Sequence, residues 1–97
     1  MEDINRLVIL YDYYGELLTD HQKKCFEDYY FNNLSLSEIA LNNNVTRNAV
    51  HNQLKKSIEK LEYYESKLKI IKKNNKVLEI LKFSDLKEEI MNILEGE

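Results

Sequence analysis

The sequence of 97 residues predicts an all-α protein, and three observations support this fold class. It contains no proline and only two glycines, Gly15 and Gly96, so the strongest helix breakers are nearly absent. An all-β domain needs a turn signal about every 8–12 residues, which this composition does not supply. Apolar residues instead recur at steps of three or four, the spacing of amphipathic helices.

The cysteine content and the hydropathy of the chain exclude two further classes of protein. A single cysteine, Cys25, cannot form a disulfide within its own chain, which excludes a disulfide-stapled scaffold. No apolar run approaches the ~18 residues of a membrane-spanning helix, and no signal-peptide pattern opens the chain. We therefore expect a soluble, cytoplasmic protein with no membrane partner.

The first third of the chain predicts two helices. Apolar spacing over residues 3–15 indicates an amphipathic helix that ends near Gly15. Thr19 and Gln22 have the spacing of a capping box, in which each side chain accepts from the other residue's backbone N–H. A second helix should follow, with an apolar stripe formed by Cys25, Phe26, Tyr29 and Tyr30.

The middle of the chain has the element order of a helix-turn-helix. Ser35 and Glu38 repeat the capping-box spacing and predict a short helix over about residues 36–42. Asn44 can adopt the left-handed conformation of a tight turn without glycine. Thr46 then caps the next helix. In a helix-turn-helix this second helix enters the major groove of DNA.

The last half of the chain predicts one long helix and a helical tail. Apolar spacing predicts a helix from residue 47 to about 72, which is about 39 Å long at 1.5 Å per residue. Nothing interrupts the pattern before Asn74-Asn75. Two shorter helices are expected after it, the second of them capped by Ser84-Asp85.

The outer half of this long helix carries apolar residues that a small bundle cannot cover. Two arrangements could bury them: the tail folds back onto the helix, or two copies form a seam of the coiled-coil type. We favour a homodimer with an interface formed by Leu61, Tyr64, Leu68 and Ile71. The chain then divides into a bundle over residues 1–58, with the helix-turn-helix at 35–56, and a dimerising extension over 59–97.

Positive charge is concentrated in one segment of an acidic chain. The whole sequence has a net charge of −3. Residues 46–73 hold eight basic and three acidic side chains, a balance of +5, and residues 46–56 contain no acidic residue. This asymmetry favours contact with an anionic partner along the predicted second helix of the motif.

The start of the second helix carries side chains that suit nucleic acid. If Val50, Leu54 and Ile58 face the core, the residues that face outward are Arg47, Asn48, His51, Asn52, Lys55 and Lys56. Arginine reads guanine and asparagine reads adenine through paired hydrogen bonds, while lysine and histidine hold phosphates. We predict a nucleic-acid interface here, with DNA favoured over RNA. A solvated helix surface and a protein-binding surface are the alternatives.

Four segments of the chain resemble region 4 of bacterial sigma factors. They are LTDHQ at 18–22, YY at 29–30, LSLSEIA at 34–40 and VTRNAV at 45–50. Together with the aromatic-rich first helix and LEYYE at 61–65, they make the chain resemble the YlxM family over roughly residues 7–70. That family comprises small helix-turn-helix proteins encoded beside the signal recognition particle GTPase in Gram-positive bacteria and mollicutes.

The resemblance implies a fold and a role. It makes residues 46–56 the recognition helix and residues 35–42 the positioning helix of a sigma-region-4-like bundle. It implies a DNA-binding regulatory protein connected with the signal recognition particle pathway. The competing interpretation is a non-catalytic interaction module that binds components of the signal recognition particle or of RNA polymerase.

The sequence contains no arrangement of residues that indicates catalysis. It has no glycine-rich phosphate loop, no nucleophile elbow and no set of nucleophile, base and acid. His21 and Cys25 are four residues apart, but a structural zinc site needs four ligands and the one other histidine is His51. We expect a protein that is not an enzyme and that holds no metal and no cofactor.

Overall fold

A computed structural model describes residues 3–95, and these residues fold as an all-α protein, as the sequence predicts. A short 3-10 helix, Gly15–Leu17, follows the first of five α-helices. The α-helices are α1 (Ile4–Tyr14), α2 (Asp20–Tyr30), α3 (Leu36–Asn43), α4 (Arg47–Leu68) and α5 (Ile70–Glu95).

The predicted helix starts are confirmed by their caps. Thr19 and Ser35 each form a complete capping box, at the first turns of α2 and α3. The Thr46 hydroxyl accepts a hydrogen bond from the Ala49 N–H at 3.1 Å and opens α4. These local bonds satisfy backbone donors that a helix leaves unpaired, which is why the starts of α2, α3 and α4 could be predicted from the sequence.

The turn between α3 and α4 is made by asparagine, as predicted. Asn44 adopts the left-handed conformation with φ 60° and ψ 40°. The next residue, Val45, donates its N–H to the Ala40 carbonyl at 3.0 Å, which closes the end of α3. Asparagine reaches this conformation at a lower energy than most residues, so the turn needs no glycine.

Two clusters of buried side chains hold the bundle together. Core cluster A joins α1 to α2 and α4 and contains Leu7, Leu10, Tyr14, Leu18, Phe26 and Leu61. Core cluster B joins α2 to α3 and α4 and contains Cys25, Ile39, Ala40, Val50 and Leu54. Because α2 and α4 contribute to both clusters, the helix-turn-helix is fixed rigidly on the rest of the bundle.

The prediction for the second half of the chain is wrong in two respects. Helix α4 ends at Leu68 instead of about residue 72, because Lys69 is left-handed with φ 55°. The tail forms the single helix α5 of 26 residues, not two shorter helices. Both Asn74-Asn75, the expected interruption, and Ser84-Asp85, the expected cap, lie inside α5.

Contacts between distant residues explain why the chain turns at Lys69. The Glu65 carboxylate accepts hydrogen bonds from the Tyr14 hydroxyl at 2.5 Å and from the backbone N–H groups of Ile71 and Lys72 at 3.2 and 3.3 Å. The Ile70 N–H donates to the Tyr14 oxygen at 3.2 Å. Side chains from α1 and α4 therefore cap the start of α5. We call this arrangement the α4–α5 joint.

Beyond this joint, α5 leaves the bundle. Every residue from 72 to 95 is exposed, and the molecule measures 70 × 27 × 23 Å along its principal axes. Near its base, α5 is attached to α1 by a hydrogen bond from the Asn74 amide to the Tyr13 hydroxyl at 2.9 Å. None of the helices within residues 3–95 combines the length and apolar character needed to cross a membrane.

Candidate nucleic-acid interface

Helices α3 and α4 present the candidate interface, and core cluster B sets their geometry. Val50 and Leu54 of α4 point inward and are nearly completely buried. They pack with Ile39 and Ala40 of α3 and with Cys25 of α2. Since this packing fixes the rotation of α4 about its own axis, it also fixes which side chains of α4 face the solvent.

The six residues predicted to contact nucleic acid lie together on the exposed side of α4. We call this surface the α4 face, and its residues are Arg47, Asn48, His51, Asn52, Lys55 and Lys56; all six are exposed. They occupy the first three turns of a helix whose first turn contains no acidic residue. The arrangement can donate hydrogen bonds to base edges and to phosphate oxygens from one continuous surface.

The cations of the α4 face are available to a partner. Within residues 3–95, no ion pair involves Arg47, Lys55 or Lys56, whereas Arg6 and Lys23 elsewhere on the bundle each pair with a glutamate. The N-terminus of α4 adds the partial positive charge of its unpaired N–H groups. An anion that approaches the α4 face therefore meets cations that do not first have to leave another carboxylate.

A shallow apolar groove lies beside the α4 face. It has a volume of about 480 Å³ and separates α4 from the end of α2 and the start of α3. Tyr29, Tyr30 and Leu36 line its apolar side, while His51 and Lys55 stand at its edge. Sequence reasoning placed the two tyrosines in an apolar stripe but did not find the groove, because the groove forms only where three helices meet.

The structure corrects the predicted dimer interface. Leu61 is completely buried in core cluster A, where α1 covers this side of α4, so it has no surface to offer a second copy. Tyr64 and Ile71 are partly buried against the same cluster. Only Leu68 of the four predicted residues is well exposed, at 44%. The apolar spacing of α4 reflects packing within one chain.

The histidine and cysteine that were considered as metal ligands have ordinary roles. Cys25 is buried in core cluster B, and burial raises the pKa of its thiol, so it packs as a small apolar residue. His21 is exposed on α2. In the part of the chain that the structure describes, no three His, Cys, Asp or Glu side chains are grouped so that they could hold a metal ion.

Comparison with known proteins bears on this arrangement of α3, turn and α4. A family model described as "Putative helix-turn-helix protein, YlxM / p13 like" matches residues 1–95. The chain belongs to the YlxM / p13-like helix-turn-helix family. The match covers the bundle and also α5, and the family description names the same motif that α3 and α4 form.

Relatives in the YlxM / p13-like family come from several bacterial groups. The UPF0122 protein MYPE4850 of Malacoplasma penetrans is 54% identical over 80 residues, which are 82% of this chain and 75% of that protein. The UPF0122 protein FN1394 of Fusobacterium nucleatum is 41% identical over 99% of this chain and 96% of its own length. The UPF0122 protein TTE1463 of Caldanaerobacter subterraneus is 40% identical over 90% of this chain and 73% of its own length.

Proposed function

We propose that the protein is a DNA-binding helix-turn-helix regulator, in which the α4 face contacts the major groove and α3 positions it. The observation that carries this proposal is the α4 face itself: six exposed polar residues on a helix held by a buried core, three of them cations that form no ion pair within residues 3–95. The family's helix-turn-helix description supports the same motif. No catalytic role is proposed.

Each residue of the α4 face has a role that its chemistry fits. Arg47 is placed to donate two hydrogen bonds to guanine, and Asn48 and Asn52 suit adenine. Lys55 and Lys56 lie two turns further along α4, where they suit phosphate oxygens. This order agrees with the general geometry of recognition helices, whose N-terminal residues contact bases.

The charge of the rest of the molecule favours one orientation on DNA. Residues 1–18 carry one basic and four acidic side chains, a balance of −3, while residues 46–56 carry no acidic side chain. A duplex is repelled by most of the bundle and attracted by the α4 face. The asymmetry therefore orients the encounter before any specific contact forms.

We further propose that this regulator acts in the cytoplasm as a homodimer, in connection with the signal recognition particle pathway. A dimer presents two recognition helices, which suits paired half-sites on DNA. The sequence resemblance to the YlxM family motivates the pathway, and RNA of the signal recognition particle is the second nucleic acid to test.

The groove beside the α4 face favours one alternative function. Tyr29, Tyr30 and Leu36 give it an apolar lining that nucleic acid does not need but a protein helix or strand could fill. In this alternative the protein is a non-catalytic interaction module for components of the signal recognition particle or RNA polymerase. Salt should change the affinity for DNA and the affinity for a protein partner differently, and this distinguishes the two functions.

A salt series tests the proposed function. Binding of labelled duplex DNA and of signal recognition particle RNA would be measured by fluorescence anisotropy between about 50 and 200 mM salt. Because Lys55 and Lys56 are the two side chains assigned to phosphates, the logarithm of the DNA affinity should fall with the logarithm of the salt concentration with a slope of about −2. Absence of binding to both nucleic acids at the lowest salt would reject the proposal, and a protein-binding role would be pursued instead.

A further inference from the structure

The start of α5 carries a concentrated group of lysines. Residues 66–78 contain five lysines and no acidic residue. The fifth part of this charge, Lys67, belongs to α4, where its ammonium group lies 5.8 Å from the centre of the Tyr63 ring. The other four lie along the first turns of α5 and are all exposed. We call this surface the lysine face, and its residues are Lys69, Lys72, Lys73 and Lys76.

The lysine face points away from the bundle. Ile71 packs against core cluster A, and the Asn74 amide donates to the Tyr13 hydroxyl, so Ile71 and Asn74 mark the side of α5 that is held to the bundle. At 100° per residue, the three lysines within α5 lie about 100° or more from both of these residues. Lys69 directly precedes α5, and its carbonyl accepts a hydrogen bond from the Lys73 N–H at 2.9 Å. The lysine face is therefore open to a partner on the side that the bundle does not cover.

No carboxylate of residues 3–95 forms an ion pair with the lysine face. The acidic residue that precedes it along the chain is Glu65, whose carboxylate already accepts hydrogen bonds from the Tyr14 hydroxyl and from two backbone N–H groups at the start of α5. The acidic residue that follows it is Glu79, nearly one turn beyond Lys76. The positive charge of the lysine face is thus left for a partner to balance.

The arrangement of these lysines works against the helix that carries them. Lys76 lies four residues after Lys72 and three after Lys73, so like charges are neighbours on one side of α5. Lys72 and Lys73 also lie in the first turn of α5, where the helix dipole disfavours positive charge. Departures of this kind from local preference are typical of functional sites. An anion bound at the lysine face would reduce both repulsions.

We propose that the lysine face is a second DNA contact, which binds the phosphate backbone beside the site that the α4 face reads. Lysine suits phosphates because it is a compact point charge on a flexible stem, and α5 contains no arginine that could form a paired contact with guanine. The contact is therefore independent of base sequence. Because it is made at the ends of long side chains, it leaves the backbone of α5 undisturbed. This inference rests on the proposed function and adds a second contact to it.

The length of α4 sets how far the DNA must extend to reach the lysine face. From Asn52 in the α4 face to the end of α4 at Leu68 is about 24 Å, at about 1.5 Å per residue. At about 3.4 Å per base pair, this distance corresponds to about seven base pairs. A duplex of about 10 base pairs centred on the α4 face ends before that distance, whereas one of about 30 extends beyond it. The two duplexes therefore separate the two contacts.

The test compares the wild type with Lys72→Gln combined with Lys73→Gln, by fluorescence anisotropy between about 50 and 200 mM salt. On the longer duplex the variant should bind more weakly, and its salt dependence should be less steep by about 2 units of slope. The fall in affinity over this fourfold range of salt should then be about twelvefold smaller than for the wild type. On the shorter duplex, the two proteins should have the same slope.

Lys82→Gln combined with Lys87→Gln is the matched control, because it removes the same charge from exposed positions further along α5. It should bind the longer duplex as the wild type does. Equal slopes for the wild type and the Lys72→Gln, Lys73→Gln variant on the longer duplex, or an equal loss in the control, would overturn the inference. Binding of the shorter duplex depends on the α4 face alone, so neither result would count against the proposed function.

A second measurement uses no nucleic acid. In the Lys72→Gln, Lys73→Gln variant, the backbone amides of α5 should exchange hydrogen more slowly than in the wild type, because both like-charge pairs with Lys76 and the positive charge of the first turn are removed. The control variant should not slow this exchange. Faster exchange in the Lys72→Gln, Lys73→Gln variant would show that these lysines stabilise the helix itself, and it would overturn the inference.

Discussion

Replacement of both Arg47 and Lys55 with alanine is expected to weaken duplex DNA binding about thirtyfold or more. Both side chains are exposed on the α4 face, and neither is paired with a carboxylate within residues 3–95. A paired contact between arginine and guanine contributes about 1–3 kcal/mol, and a lost phosphate contact adds to this; about 2 kcal/mol corresponds to thirtyfold. The loss of the phosphate contact of Lys55 should also make the salt dependence less steep, by about 1 unit of slope.

The same variant provides its own control for folding. Arg47 and Lys55 take no part in either core cluster, so circular dichroism and the free energy of unfolding should stay within about 0.5 kcal/mol of the wild type. Lys24→Ala combined with Lys67→Ala removes the same charge from exposed positions on α2 and at the far end of α4. Equal losses of affinity in the two double variants would show that net charge, and not the α4 face, governs binding.

The second large effect is expected at the α4–α5 joint. Glu65→Gln should lower the free energy of unfolding by about 1.5–3 kcal/mol, the range for hydrogen bonds to a charged group. The carboxylate accepts bonds from the Tyr14 hydroxyl and from the N–H groups of Ile71 and Lys72. Glutamine replaces one of the two acceptor oxygens with an NH2 group, so one of these donors loses its partner.

The pKa of Glu65 determines how its contribution to stability should change with pH. Burial alone would raise that pKa, but hydrogen bonds from Tyr14 and the two backbone N–H groups, together with the charge of Arg6, outweigh it and hold the pKa below its ordinary value of 4.5. The ionised form is thus favoured by folding. Its contribution to stability is complete above pH 4.5 and is lost as the pH falls through the lower, folded-state pKa.

Chemical denaturation between about pH 7 and pH 3 measures both the stability that Glu65→Gln loses and the change of stability with pH. The wild type should lose more stability over the acidic part of this range than Glu65→Gln, which has no proton to bind at this position. Glu62→Gln serves as the control, because Glu62 pairs with Arg6 on the surface and its loss should cost about 0–1 kcal/mol. Identical pH profiles for the wild type and Glu65→Gln would show that the joint does not depend on the carboxylate.

The sequence predicts those parts of the fold that depend on neighbouring residues. The capping boxes at Thr19 and Ser35 and the left-handed turn at Asn44 use hydrogen bonds within a few residues, so their spacing is visible in the chain. Apolar spacing likewise predicts that Val50 and Leu54 face inward. The helix-turn-helix could be located for these reasons.

The parts that the sequence did not predict depend on distant residues. The end of α4 is decided by Tyr14, which lies 51 residues before its partner Glu65. Leu61 has the same spacing as an interface residue, and only the position of α1 shows that its surface is already covered. Ser84 has the character of a cap, yet the helix continues through it. The preference of one or two residues to start or end a helix is outweighed by such contacts and by a long run of good helix formers.

The same difference between neighbouring and distant residues explains why only part of the candidate site could be predicted from the sequence. The orientation of Arg47 and Lys55 follows from helical period, since the buried side of α4 fixes the exposed side. The groove formed with Tyr29 and Leu36 requires the packing of α2 and α3 on α4, which no spacing within one helix reveals. The single helix α5 could not be predicted either while the tail was expected to break at Ser84-Asp85.

The central claim is that DNA contacts the α4 face, and an NMR titration tests it most directly. Amide resonances of the labelled protein would be followed while duplex DNA is added, which a chain of 11.6 kDa permits even as a dimer. The largest shift changes should fall within residues 46–56, with smaller ones in α3 and little change in α1 or α5. Changes confined to other helices, or no changes at a DNA excess in low salt, would contradict the claim.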